Sequence, residues 1–131
     1  MTFNTALVDL HAWVLQQLQN AVTFAVFDVR PPGEARPYLY LGGKNETAGP
    51  RTFERDATEP TVEIHGFSAV DGDSEAVAMV KQVRDALHGR RLTTSEFGTI
   101  ALRFLESPIT PDPEGGRVAV IRYRTVAMAT P

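Results

Sequence analysis

The chain contains no cysteine, so disulfide bridges and thiolate metal sites are excluded and its stability must come from burial and hydrogen bonding. No apolar run approaches the roughly 20 residues that a membrane-spanning helix needs. The first residues carry neither a basic leader nor a continuous apolar stretch, so no secretory signal and no membrane partner are expected. Positive charge is not in excess: the formal net charge is −3 and the pI is near 5.6. Tight binding of duplex DNA is therefore not expected, because it draws on a net basic footprint. What remains is ordinary for a folded chain, with 43% apolar and 22% charged residues. A length of 131 residues fits one domain, 1–131, large enough to bury a real core.

Periodicity predicts a helix over Phe3–Gln19, where Leu7, Leu10, Val14 and Leu18 fall on one face. Trp13 lies off that stripe, either as an aromatic flanking the core or as a contact to a neighbouring subunit. Val22–Val29 and Tyr38–Leu41 are rich in β-branched and aromatic residues and read as strands, separated by the Pro31-Pro32-Gly33 break. The stretch from Gly42 to Pro60 reads as an exposed loop, with a continuation of the hairpin as ragged strand edges the alternative, and Phe53 is its one large apolar side chain. Thr61–Phe67 alternates, placing Val62 and Ile64 opposite Glu63 and His65.

A second helix follows. Asp73 or Ser74 can cap its start with a side-chain oxygen, and Gly89 can end it. Its buried stripe reads as Ala76, Val80, Val83 and Leu87, with Val77 and Met79 beside it. Thr99–Leu105 and Arg117–Met128 are the last two strands, joined by a proline- and glycine-rich turn ending in Asp112-Pro113-Glu114-Gly115-Gly116. The order α-β-β-β-α-β-β implies an α+β fold: a mostly antiparallel sheet of about five strands with two helices on one face.

Catalytic and metal-binding patterns fail on inspection. Gly42-Gly43-Lys44 lacks both the earlier glycine and the following Ser or Thr of a phosphate loop, since Tyr38 and Asn45 stand there. His11, His65 and His88 are not spaced as ligands on one helical face. Ser68, Ser74, Ser95 and Ser107 lie in turns or caps, none in a nucleophile elbow. No catalytic residue, metal or cofactor is expected. The basic group Arg103, Arg117, Arg122 and Arg124 has two readings. It is either a solvated sheet face paired with acids such as Glu63, or a contact between subunits in which guanidinium forks bridge to carboxylates.

The ordered set of features resembles the tail completion, or tail terminator, family of long-tailed phages and gene transfer agents. The likeness runs through Asp28-Val29-Arg30-Pro31-Pro32-Gly33, the segment PYLYLG (Pro37 to Gly42), TVEIHGFSAVDG (Thr61 to Gly72), and the DPEGG turn (Asp112 to Gly116) leading into the strand with Tyr123 and Arg124. The loop from Gly42 to Pro60 is longer than the family minimum. The resemblance implies a non-enzymatic assembly protein of the virion, made in the host cytoplasm. It implies a homo-oligomeric ring, typically of six, that caps a finished tail tube and meets the head's neck, or connector, protein. DNA would pass through the opening without specific binding.

On that reading the interface residues are Arg103, Arg117, Arg122, Arg124, Glu63 and Trp13. Lys44, Glu46, Arg51, Phe53, Arg55, Asp112 and Glu114 are the loop residues that touch partners. The alternatives are a head-side neck or stopper subunit and, from another class, a small-ligand-binding or enzymatic α+β domain.

Overall fold

The computed structural model describes residues 3–30, 32–33, 35–48, 58–94 and 98–128. Helix α1 (Phe3–Ala21) buries Leu10, Val14 and Leu18 completely, as their spacing requires; the side chain of Leu7 lies outside the described residues. Strand β1 is only Ala25–Phe27, shorter than the expected Val22–Val29. The reason is local. Val22 still donates to the Leu18 carbonyl, and the Thr23 amide is held by the Gln82 side chain at 2.8 Å, so the chain is leaving the helix until Phe24.

Strand β2 (Tyr38–Ala48) runs past the expected end at Leu41 and pairs antiparallel with β3 (Thr58–Phe67). The register shifts between Leu41 and Lys44, where Gly42-Gly43 forms an irregularity instead of ending the strand. Residues 42–48 and 58–60 are therefore strand, which corrects the exposed-loop reading in favour of the continued hairpin. Residues 49–57 lie outside the described residues.

Helix α2 (Ser74–Leu87) begins after Asp73, but Asp73 makes no side-chain cap bond; its carboxylate pairs with Arg117 at 3.0 Å instead. Glu75 completes the helix entry by accepting the Ala69 amide at 2.7 Å. Gly89, at φ +69°, ends the helix as the sequence indicates. The buried face is Ala76, Met79, Val83, Ala86 and Leu87. Met79 is thus central to the stripe, and Val77 points to solvent at 52% exposed.

Strand β4 (Arg91–Thr94) and strand β6 (Ile109–Pro111) were not apparent in the sequence: each is short and borders turn residues. Along the chain they precede and follow β5 (Gly98–Glu106), and β7 (Arg117–Met128) comes last. The seven strands form one sheet in the order β1-β2-β3-β7-β5-β4, with β6 beside β7. The α+β class holds, but the expected mostly antiparallel sheet is a mixed one, because β1 runs parallel to β2. Leu39, Leu41, Val62, Ile64, Ile121 and Tyr123 from the sheet share one core with both helices. Close approach of α2 depends on Gly66, where a Cβ would lie 2.8 Å from both Leu39 Cδ2 and Met79 Sδ.

Candidate functional site: the sheet face away from the helices

Strand alternation divides the side chains. Leu39, Ile64 and Ile121 turn toward the helices, so Tyr40, Glu63, His65, Arg122 and Arg124 turn away. Registers then fix their neighbours. Tyr40 stands opposite His65, Glu63 opposite Arg122, and Arg122 opposite Glu106 across an irregularity in β5.

The result is a polar ladder across four strands. The Tyr40 hydroxyl lies 3.2 Å from His65 Nδ1, and His65 Nε2 lies 3.1 Å from Glu63 Oε1. A carboxylate only accepts, so in the neutral imidazole Nε2–H donates to Glu63 and Nδ1 accepts from Tyr40. Arg122 Nε donates to Glu63 Oε2 at 2.9 Å, and its Nη1 donates to Glu106. Burial pushes the Glu63 carboxyl up, but the hydrogen bonds from His65 and Arg122 outweigh it and hold the group below the usual carboxylate range. Burial pushes the Tyr40 phenol up. Gly42 makes room for this arrangement: a Cβ there would sit 2.3 Å from the His65 ring.

One corner of the same face is closed over. Phe67 is only 6% exposed because Tyr38 and Tyr40 pack beside it and the guanidinium groups of Arg30 and Arg36 lie over its ring, 4.8 and 4.9 Å from the centroid. Arg36 also donates to the Gly115 carbonyl at 2.7 Å and to Asp112 Oδ2 at 2.5 Å. The Asp112 carboxyl is held low, first by the Glu114 amide and then by Arg36. Gly116 is required at the base of this corner, with φ +77° and an ideal Cβ 2.1 Å from the Ser68 carbonyl oxygen.

On the opposite side of the sheet, α2 leaves part of β5 uncovered. A groove of about 430 Å³ runs there, floored by Leu102, Phe104 and Tyr123 and walled by Val77 and Val80. The Arg84 guanidinium lies 4.0 Å from the Phe104 ring centroid. Burial pushes the Tyr123 phenol up to about 12, against the opposing pull of Arg84. Among the described residues, no group of three or more His, Cys, Asp or Glu could hold a metal ion, and no helix is long and apolar enough to cross a membrane.

The structure brings Glu63, Arg103, Arg122 and Arg124 onto one face, with Arg103 opposite Arg124. Arg117 is separated from them: it has the opposite parity on β7 and pairs with Asp73. Trp13 packs against the core. Asp112 and Glu114 face Arg36 and Arg30 within the chain. Lys44 and Glu46 lie on β2 with side chains outside the described residues, as are Arg51, Phe53 and Arg55 altogether. Sequence reasoning missed Arg30, Arg36 and Glu106. Their partners stand 84, 76 and 16 positions away respectively, and no local pattern links them.

A family model described as tail completion protein gp17 matches residues 8–127. No curated protein matches the chain. Among solved structures, a chain from the virion of a native gene transfer agent particle is similar, at 25% identity and a TM-score of 0.78. The similarity covers 95% of this chain and 97% of that one.

Proposed function

The chain belongs to the tail completion protein gp17 family, whose members are structural parts of virion tails, and on that premise we propose that it closes the end of a tail tube as a homo-oligomeric ring and joins the tail to the neck of the head. The family match across nearly the whole chain carries this reading. A structural counterpart of almost equal length within a virion supports it.

The geometry supplies a physical basis. One sheet face carries both helices, and the other presents a preorganised row of charged and polar groups to a partner. A half-exposed ladder of Arg122, Glu63 and Glu106 gives register and orientation at an interface more than raw affinity. Arg103 and Arg124 extend that face. A subunit of net charge −3 suits an opening through which DNA slides, since phosphate binding is driven by cationic contacts.

Deletion of the gene tests the reading. Tubes should still grow but end at irregular, excessive lengths and fail to join heads. Normal tail lengths and normal joining in the deletion would sink the terminator assignment. Tails of normal length that merely fail to join would shift it to the head side of the neck.

A further inference from the structure

Among the described residues the large exposed apolar side chains are Val29, Val70, Val77 and Leu105. Val77 belongs to the groove between α2 and β5. Val29 is the most exposed, at 61%. It stands just beyond β1, next to Asp28, a carboxylate with no hydrogen-bond or ion-pair partner among the described residues. The neighbouring Arg30 is turned back over Phe67, so this knob presents one acid and one apolar side chain.

The groove is its chemical complement. Its floor is apolar, and its rim charges reduce to one. Lys81 and Asp85 neutralise each other at 2.8 Å, while Arg84 covers Phe104 and forms no ion pair among the described residues. Knob and groove also lie at opposite ends of the sheet: β1 is one edge strand, and the groove borders β5, next to the other edge strand β4. They cannot serve one another within a chain, but they can serve successive copies. A contact between two different patches, repeated by rotation, generates a ring if it closes.

We infer that the Asp28–Val29 knob of one subunit seats in the Arg84–Phe104 groove of the next, and that this head-to-tail contact builds the oligomer. The inference rests on the ring reading above and names its contact. Val29 displaces water from Leu102 and Phe104, and Asp28 meets Arg84 at the mouth, an apolar anchor rimmed by a charge pair.

The absence of native cysteine makes the test direct. Val29→Cys and Val77→Cys are made in separate chains, one carrying a mass tag, then mixed at high concentration and oxidised. The mixed cross-link should exceed both like-with-like products, and the chain carrying both cysteines should form a ladder that ends in a closed species. Arg84→Asp should lower the mixed product about tenfold or more, since opposed like charges at an interface cost several kcal/mol. Adding Asp28→Arg to Arg84→Asp should restore it. Circular dichroism establishes that each variant is folded.

Cross-linking at the statistical share, or no restoration by the charge exchange, overturns the contact. Tail-length measurement keeps the two claims apart. Capped tails made by subunits that fail to cross-link sink the contact alone. A cross-linked ring that leaves tubes overlong supports the contact and sinks the capping.

Discussion

Arg36 and Arg122 each face two acids from distant parts of the chain, yet they stand in different surroundings. Around Arg36, the arginine and Asp112 side chains are 18% and 9% exposed, and the guanidinium is shared among Asp112, the Gly115 carbonyl and the Phe67 ring. Around Arg122, the arginine and Glu106 side chains are 38% and 54% exposed. The first arrangement ties the segment before β2 to the turn between β6 and β7, and so belongs to the fold. The second lies on a finished sheet whose hydrogen bonds already hold it, and in the proposed function it is the part that meets a partner. Residue type alone does not separate the two roles; desolvation and the backbone groups that share the charge do.

The sharpest way to break the corner is at Gly116. Gly116→Ala places a Cβ into the Ser68 carbonyl at a positive φ, and should destabilise the fold by about 2–4 kcal/mol. Urea unfolding followed by circular dichroism measures this, and a midpoint equal to wild type would remove the corner from the fold's support. Arg36→Met should come next, with a clear fall in melting temperature, because it takes the guanidinium donor from Asp112 Oδ2 and the Gly115 carbonyl. Arg122→Met should lower the melting temperature least of the three. A larger loss from Arg122→Met than from Arg36→Met would invert the comparison.

Acid sharpens it further. Glu63 and Asp112 are both held below the usual carboxylate range in the folded chain. Each therefore contributes stability that is present above the unfolded carboxyl pKa, about 4, and is lost as pH falls through the lower folded value. Glu63→Gln and Asp112→Asn should each be less stable than wild type at neutral pH, Asp112→Asn by more. Both differences should shrink toward zero in strong acid. A difference that persists there would mean that packing, not charge, sets the effect.

Gly42→Ala should have the smallest effect on stability and a specific local one. The new methyl displaces the His65 ring and so parts Tyr40 from Glu63. The His65 imidazole resonances in a nuclear magnetic resonance spectrum should move while the melting temperature changes little. An unmoved ring would contradict the packing described.

The sequence carried the parts of the fold that depend on local periodicity. Leu10, Val14 and Leu18 declared α1, and the alternation around Val62 and Ile64 declared β3 and its two faces. Alternation indicated that Glu63 shares a face with the arginine group, but the register that sets it opposite Arg122 was not legible. The parts that depend on distant partners were not legible. β4 and β6 are short strands that exist because β5 and β7 offer free edges. β2 continues through two glycines because β3 is there to pair with it. Arg36 could not be assigned a role without the turn that receives it, and Asp73, a plausible cap by type, is instead taken up by Arg117.

Charge reversal on the open face tests the central claim, that this surface is kept for a partner and not for the fold. Arg122→Glu with Arg124→Glu is examined by electron microscopy of complemented particles and by thermal unfolding of the purified subunit. The account predicts a subunit that still folds, with a melting temperature lowered because a third carboxylate then faces Glu63 and Glu106 but lowered less than by Gly116→Ala, and tails that are overlong or not joined to heads. Normal tail lengths with normal joining would contradict it.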